Sequence, residues 1–346
     1  MKRMFSAIAI GMVSLAMLTA CDPPMPESLR VELAEREIVC GQGAVELAGD
    51  YLFADLVSYW NDSAALSCDD MQFSFVDSLS SDVGLIVGTG AVDACTPIAS
   101  VPLAIDAAVI TFVLGDFYEL TLSPETIGGI FSGSITSWSD PAIIALNPGF
   151  ELPDQEIILS PSAPAGAADA MQQYLATFGV EVDLSSLEVS DSEYSETDRL
   201  FELADGELRL STFSASSDSG LPFTIIQEDE SDPLTRIALD KLSVYSAATQ
   251  LVSTVDDANG TISVVRDPAK SPLPLAGSSD VAPPYGPVIP IMMSVCGNEN
   301  EATFARFLVR LDSQGQFASG LHVALPDAIR VAAASILDQK AGLGGE

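Results

Sequence analysis

The sequence predicts an α/β protein of two lobes, each a mostly parallel sheet flanked by helices. Strand-length apolar runs alternate with segments of helical periodicity, which is typical of parallel sheets covered by helices. The chain has 346 residues, enough for two lobes that each bury a core of their own. Apolar runs at 107–114 and 289–295 are placed to carry the chain into the second lobe and back.

The start of the chain has the features of an export signal. Lys2 and Arg3 precede a short apolar run that ends in LTAC, whose last residue is Cys21. This order is typical of a signal peptide, and the run is shorter than the ~20 residues of a membrane span. A cysteine after Leu-Thr-Ala is typical of a bacterial lipobox, with an ordinary signal or a signal anchor as the alternative. We therefore expect residues 1–21 to be the signal and lipobox, 22–36 a tether, and the protein to be lipid-anchored on the outer face of the cytoplasmic membrane.

The charge of the chain excludes two classes of partner. Its 49 acidic and 14 basic residues give a formal net charge of −35 at pH 7. Nucleic acids and anionic lipid headgroups depend on Lys and Arg contacts, so neither is expected to bind, and membrane contact is through the lipid alone. Between Arg36 and Arg199 there is no Lys, Arg or His. A ligand held by that region is expected to meet backbone amides and hydroxyls, never a side-chain cation.

The first lobe is expected to contain residues 37–106 and 289–346. A short strand is predicted at 37–40, followed by a glycine-containing loop and a helix whose apolar positions run from Leu47 to Trp60. Residues 72–76 are the next predicted strand, then a Ser-rich turn at 77–82, a second helix, and a third short strand at 92–93. Helices at 304–311 and 328–337 are predicted to complete this lobe.

The second lobe is expected to contain residues 107–288. Ser123 before Pro124 and Glu125 predicts a helix start, because serine is a good N-cap and an acid faces the positive helix end. Asn147-Pro148-Gly149 ends the following helix, and a strand is predicted at 156–160. Asn259-Gly260 between two apolar runs predicts a tight hairpin rather than a calcium loop, whose end positions would be Val255 and Arg266 instead of acids. A proline-rich run at 272–290 precedes the returning strand.

Residues for catalysis are missing from the sequence. His322 is the single histidine, so we expect neither a Ser-His-Asp set nor a His-based zinc site. The glycine-rich segment 88–93 lacks the Lys-Ser/Thr ending of a P-loop. We therefore predict a non-enzymatic protein without a cofactor or metal, in which His322 has a surface or packing role. Four cysteines besides Cys21, without a C-x-x-C pair, favour two disulfides in an exported chain.

The string IFSGSITSWSDPAIIALNPG at 130–149 resembles the second lobe of the PstS-type phosphate-binding lipoproteins of ABC transporters. Other family-like segments follow in the same order, from GQGAV at 41–45 to SQGQFASGLHVALPD at 313–327. The resemblance implies the type II periplasmic-binding fold, with two hinge crossings and a ligand between the lobes. It also implies a small oxyanion such as phosphate as ligand and an ABC permease as partner.

The resemblance also suggests which residues bind the ligand. The family's signature loop is Arg-x-Asp-x-Ser-Gly-Thr, and its Arg position is Pro161 here, whereas its glycine is retained as Gly166. Losing the Arg and two or three hydroxyl donors removes roughly 5–9 kcal/mol of charged hydrogen bonding, so phosphate affinity is doubtful. A receptor with an altered site and a scaffold lipoprotein that binds no small ligand are the two remaining hypotheses. The candidate ligand-binding residues are Gly43, Ala44, Val45, Ser80, Ser81, Thr96, Gly166 and Ala167.

The same topology predicts how the cysteines pair. Cys40 and Cys95 are expected at the carboxyl ends of neighbouring strands, beside the cleft. Cys68 precedes a strand and Cys296 ends an antiparallel one, so both are expected at the opposite edge. The predicted disulfides are therefore Cys40–Cys95 and Cys68–Cys296.

Overall fold

The computed structural model of the protein describes residues 38–79, 83–89, 94–190, 195–267 and 283–343. The predicted signal, the predicted lipidation site Cys21 and the predicted tether at 22–36 lie outside these ranges, as do Ser80, Ser81 and the strand predicted at 92–93. The lobe boundaries at 106/107 and 288/289 stay predictions. Within the described ranges, no helix combines the length and the apolarity needed to cross a bilayer.

Nine strands form one mixed sheet, and five more form two small sheets. In the large sheet β12-β13-β4-β14-β3-β1-β2 is the continuous order, β9 also pairs with β4, and β6 pairs with β9. Strand β14 runs antiparallel to both of its neighbours, β4 and β3, whereas β3, β1 and β2 are parallel to one another. The β12–β13 and β4–β9 pairs are antiparallel, and the β13–β4 and β6–β9 pairs are parallel. The strands are β1 Gly43–Gly49, β2 Met71–Val76, β3 Leu85–Gly88, β4 Ala99–Phe112, β5 Thr121–Leu122, β6 Ile158–Leu159, β7 Ser162–Ala163, β8 Glu188–Val189, β9 Glu207–Thr212, β10 Ile225–Gln227, β11 Arg236–Ile237, β12 Leu251–Asp256, β13 Thr261–Arg266 and β14 Val288–Val295.

Ten α-helices lie in the described ranges, several with the caps expected from the sequence. The Ser123 hydroxyl accepts a hydrogen bond from the Thr126 amide, so the predicted helix start is confirmed. Asn147 is the C-cap of the next helix, also as predicted. The helices are α1 Ala54–Ala65, α2 Pro124–Phe131, α3 Pro141–Leu146, α4 Ala167–Ala176, α5 Glu196–Phe201, α6 Phe213–Ser219, α7 Lys241–Ala248, α8 Glu299–Leu308, α9 Leu311–Gly315 and α10 Asp327–Lys340.

Strand β4 is the longest element of the sheet and changes partners along its length. Every residue except Ser100 is buried, which explains the uninterrupted apolar run in the sequence. Residues 99–107 pair with the antiparallel β14, and residues 108–112 pair with β9. A strand over the predicted apolar run is thus confirmed but starts at Ala99, eight residues earlier than predicted, and its role as a crossing between lobes stays a prediction. The predicted hairpin at Asn259-Gly260 is confirmed as β12–β13.

Two element predictions near the start of the described chain were wrong. The first strand is β1 at 43–49 rather than 37–40, and Leu47 belongs to it instead of to a helix. Alternating burial of Val45, Glu46 and Leu47 is the period of a half-buried strand. The helix after β1 is preceded by the one-turn 3₁₀ helix Tyr51–Phe53. Residues 85–88 form strand β3, where a second helix was predicted.

The predicted disulfide pairing was also wrong, because Cys40 lies before β1 and not at its carboxyl end. The structure joins Cys40 to Cys68 and Cys95 to Cys296, with Cα separations of 5.5 and 5.7 Å. Gly43 of β1 pairs with Met71 of β2, so the residues that precede these two strands meet at one edge. Ala99 of β4 pairs with Val295 of β14, which brings Cys95 next to Cys296.

Candidate functional site

The residues predicted to bind a ligand lie at two different places. Residues 43–45 open strand β1 at the amino edge of the parallel strands, where the Gly43 amide donates to the Asp70 carbonyl at 2.7 Å. Thr96 is next to the Cys95–Cys296 bridge, near the start of β3. Gly166 is instead near Thr89, which directly follows the carboxyl end of β3. The structure therefore separates 43–45 and Thr96 from Gly166 and Ala167.

Gly166 forms the start of α4 in a backbone conformation that favours glycine. Its φ is +78°, in the left-handed region, and no side chain caps the helix. A Cβ atom at this position would lie 3.4 Å from Ile289 Cγ2 and 3.6 Å from Thr89 Cβ. The Ala167 amide donates to the Pro164 carbonyl at 3.1 Å. The amide predicted to face a ligand at Ala167 is therefore already engaged within the loop.

A cavity of about 190 Å³ opens beside Gly166. It lies between the first turns of α4, the end of the β12–β13 hairpin and the start of β14. One of the side chains that line the cavity is cationic, because the hairpin brings Arg266 to its wall. The expectation that no side-chain cation reaches this region was therefore wrong. The polar residues and glycines that line it include Thr89, Gly166, Asp169, Gln173, Arg266 and Gly286.

Arg266 was missed because it is 100 positions from Gly166 and no local pattern marks it. It is the last residue of β13, where it pairs with Leu251 of β12. In the sequence it was considered only as a mismatch in a calcium loop. Partial burial lowers the pKa of Arg266, and the nearby Tyr174 and Glu228 raise it.

Glu228 and Tyr174 form a buried, hydrogen-bonded pair, and the charge of Arg266 acts on the ionisation of both side chains. The Tyr174 hydroxyl donates to Glu228 Oε1 at 2.9 Å, and Glu228 Oε2 has no hydrogen-bond partner among the described atoms. Burial raises the pKa of Glu228 to about 7, against the opposing effects of the Tyr174 hydrogen bond and of Arg266. Burial also raises the pKa of Tyr174, and the Glu228 carboxylate raises it further. This carboxyl group therefore titrates close to neutral pH.

A second cation, Arg209 of β9, is buried beside the signature loop. Its Nε and Nη2 donate to the two carboxylate oxygens of Glu196 at 2.7 and 2.9 Å. Its Nη1 donates to the hydroxyls of Ser160 and Ser162 at 2.7 and 3.1 Å. Nη2 also donates to the Ser190 hydroxyl at 2.8 Å. The guanidinium thus reaches residues next to Pro161, although its partners are already part of the protein.

Asp106 and His322 form a further polar cluster around β4. Asp106 accepts hydrogen bonds from the Ala107 amide at 2.7 Å and from the Ser214 amide and hydroxyl. His322 Nε2 lies 3.8 Å from Asp106 Oδ2, and its ring stacks on Phe53 with centroids 4.3 Å apart. Burial raises the pKa of Asp106 to about 6 and lowers that of His322 to about 4. The imidazole is therefore neutral at pH 7 and packs in the core.

The turn after β1 contacts α6 through one tyrosine. The Tyr51 hydroxyl donates to an Asp218 carboxylate oxygen. Burial raises the pKa of Tyr51 to about 12, and the hydrogen bond to Asp218 adds to this effect. Burial also raises the pKa of Asp50, and the negative charges of Asp106 and Glu196 act in the same direction. Among the described residues, no three acidic, histidine or cysteine side chains gather where they could hold a metal ion.

Comparisons with known proteins agree with the resemblance over part of the sequence. No family model matches the chain. The phosphate-binding protein PstS 3 of Mycobacterium tuberculosis is 37% identical over 81 residues, which are 23% of this chain and 22% of that protein. PstS 2 of the same organism is 35% identical over 105 residues, 29% of this chain and 28% of that protein. The chain thus matches less than a third of the length of these relatives.

Solved structures match much more of the chain. A high-affinity periplasmic phosphate-binding protein, PfluDING, superposes with a TM-score of 0.55 and 14% identity, covering 84% of this chain and 93% of that one. A phosphate-binding protein of Stenotrophomonas maltophilia has a TM-score of 0.51 and 13% identity, covering 85% and 94%. At such identities the match shows the fold. The chain therefore has the α/β fold of type II periplasmic phosphate-binding proteins and is similar, over part of its sequence, to PstS-type phosphate-binding proteins.

Proposed function

We propose that this protein is an extracytoplasmic receptor for a small oxyanion of the phosphate class, held in the cavity between Gly166 and Arg266. One observation carries the proposal: the cavity places a cationic side chain beside an uncapped helix start. Both features favour negative charge, since helix starts carry partial positive charge and arginine binds oxyanions through paired N–H groups. The similarity to phosphate-binding proteins supports the same class of ligand.

The proposed site is altered, and we infer weaker binding than a cavity with several cations would give. Asp169 lines the cavity and repels an anion, and the net charge of −35 opposes approach from solution. The Ala167 amide is already bonded to Pro164. Arg266 is thus the main attractive group that the described residues supply. Export, lipid attachment through Cys21 and delivery to an ABC permease belong to the same proposal.

Calorimetric titration of the protein from Asp22 onward with phosphate tests the site. Replacing Arg266 by Gln is expected to weaken binding about ten- to hundredfold, because a charged hydrogen bond contributes ~1.5–3 kcal/mol. The matched variant Asp169→Asn removes a negative charge from the same cavity and is expected to strengthen binding. If Arg266→Gln bound phosphate as tightly as the parent, the anion would have to bind outside the cavity that Arg266 lines.

The second hypothesis, a scaffold lipoprotein without a small ligand, predicts a different outcome. It is favoured by the saturated hydrogen bonds of Arg209 and by the engaged Ala167 amide. A scaffold would give no heat and no thermal shift with phosphate, sulfate or arsenate up to millimolar concentration, in the parent and in Asp169→Asn alike. Saturable binding by either protein would exclude it.

A further inference from the structure

The Arg209 guanidinium makes all the hydrogen bonds of which it is capable. Arginine has five N–H donors, and here two reach Glu196 while three reach serine hydroxyls. Arg209 is 3% exposed, and the Glu196 side chain is 8% exposed. The carboxylate is thus held bidentately in a nearly dry environment, where charged hydrogen bonds are strong.

The surroundings of this carboxylate are of the kind that recognise an oxyanion. The guanidinium presents two parallel N–H groups, a geometry that carboxylates and phosphates share. The Ser190 hydroxyl is within 3.5 Å of Glu196 Oε2 as a donor. Two segments of the chain supply the hydroxyls: Ser160 and Ser162 lie in the 160–162 segment between β6 and β7, and Ser190 directly follows β8. Both segments are anchored independently of Glu196, because the Ser160 amide donates to the Leu208 carbonyl and the Ser190 amide donates to the Ala163 carbonyl, both at 2.9 Å.

We propose that Arg209 and Ser190 form an oxyanion site that the protein's own Glu196 carboxylate occupies, so that a small carboxylate or phosphate binds there once Glu196 is removed. The site lies on β9 and beside the β7–β8 pair, whereas Gly166 and Arg266 line the other cavity. The inference therefore goes beyond the proposed function and does not depend on it.

In the intact protein Glu196 competes with any dissolved anion for Arg209. A tethered group competes at an effective concentration of about millimolar or above. A dissolved anion must therefore exceed that concentration to enter the intact site. Without Glu196 the competitor is gone and the buried guanidinium is unpaired. We expect the apparent affinity for formate, acetate or phosphate to rise at least tenfold.

Chemical rescue tests the proposal. The variant Glu196→Ala is expected to melt below the parent and to regain stability saturably with sodium formate, acetate or phosphate, beyond any effect of sodium chloride at equal ionic strength. The parent should show no such gain over the same range. Glu202 is an exposed acid at the end of the same helix. The control variant Glu202→Ala should, like the parent, gain no stability that is specific to these anions.

Two further variants keep the test decisive. If Glu196→Ala does not fold, Glu196→Gln retains the shape of the side chain without its charge and should be stabilised more than the parent by the same anions. The double variant Glu196→Ala with Arg209→Met should lose the rescue, whereas Glu196→Ala with Arg266→Gln should keep it. Lack of anion-specific stabilisation in both Glu196 variants would show that Glu196 and Arg209 are a structural ion pair only. Rescue that survives the loss of Arg209 would also overturn the proposal.

Discussion

Glu228 is the carboxyl group whose ionisation should be most visible near neutral pH. Its pKa is about 7 in the folded protein and has an ordinary value of 4.5. The folded state therefore keeps a proton that the unfolded chain has lost, and the stability that Glu228 contributes is complete below pH 4.5. It is lost as the pH rises through 7, and the loss amounts to at most about 3 kcal/mol.

The variant Glu228→Gln isolates this contribution. Glutamine cannot ionise, yet its oxygen can still accept the Tyr174 hydrogen bond. We expect the free energy of unfolding of the parent, relative to the variant, to fall by up to about 3 kcal/mol between pH 4.5 and 7.5 in urea titrations. Glu202→Gln, which replaces an exposed acid, is the control: the difference in unfolding free energy between the parent and this variant should not change over the same pH range. A difference that stays constant for Glu228→Gln as well would refute the raised pKa.

Gly49 is required by backbone geometry at the end of β1. Its φ is +148°, and a Cβ atom would lie 2.1 Å from the Val87 carbonyl oxygen. Gly49→Ala is expected to cost roughly 3 kcal/mol or more, because both the conformation and the neighbouring strand must shift. Gly88→Ala is the matched control at the end of β3, since a Cβ there meets nothing within 4 Å. Similar denaturant midpoints for both variants would contradict the expectation.

Residues whose roles are local could be predicted from the sequence, and those that act at long range could not. The Ser123 cap was identified because serine, proline and an acid follow each other directly. Arg266 and Arg209 reach their partners only through strand pairing, and nothing in their own neighbourhood indicates it. The residues around the signature loop in the sequence include no cation, but the fold brings Arg209 and Arg266 close to that loop from distant positions.

At the level of elements, strand β2 illustrates how a sheet edge is protected. It is the last strand in the order of the large sheet. The Asn61 side chain of α1 donates to the Phe73 carbonyl at 2.8 Å and accepts from the Phe73 amide at 2.7 Å. One amide side chain thus occupies both backbone groups of Phe73, which another strand could otherwise pair with.

Replacing Asn61 by Ala should therefore weaken the edge. We expect a loss of about 1–3 kcal/mol in the free energy of unfolding, because a partly buried donor and acceptor lose their partners. Faster aggregation, followed by light scattering at 37 °C, should accompany it. Asp62→Ala, one position further and exposed, should change neither quantity. Unchanged stability in Asn61→Ala would mean that water replaces the amide without cost.

Long elements were predicted more accurately than short ones. The hairpin and the helix at 327–340 were identified with small shifts of their ends, and the uninterrupted apolar run of β4 was identified as a strand although its start was placed eight residues too late. Strand β3 has four residues, too few to separate strand from helix periodicity. The misplacement of β1 had a larger effect, because it put Cys40 at the wrong edge of the sheet.

At the scale of the whole molecule, the two disulfides close loops of different length. The Cys40–Cys68 bond spans 28 positions and the Cys95–Cys296 bond spans 201. On the chain-entropy model the shorter loop contributes about 3.5 kcal/mol and the longer about 5 kcal/mol. We expect the double variant Cys95→Ser/Cys296→Ser to lose more stability in urea than Cys40→Ser/Cys68→Ser.

Peptide mapping of the non-reduced protein should come first. It is expected to yield linked peptides that contain Cys40 with Cys68 and Cys95 with Cys296. Linked peptides that join Cys40 to Cys95 would restore the pairing predicted from the sequence. If Cys95→Ser/Cys296→Ser lost less stability in urea than Cys40→Ser/Cys68→Ser, the expectation from the chain-entropy model would be contradicted.

The Cys95–Cys296 bond joins β4 and β14 at the ends that lie farthest from Ala107 and Val288. The two strands are therefore linked covalently at that extremity and by hydrogen bonds alone at the other. The second extremity includes Ile289, whose side chain faces Gly166. Reduction of the Cys95–Cys296 bond would consequently remove the covalent link without changing any side chain around the cavity, so the two can be perturbed separately.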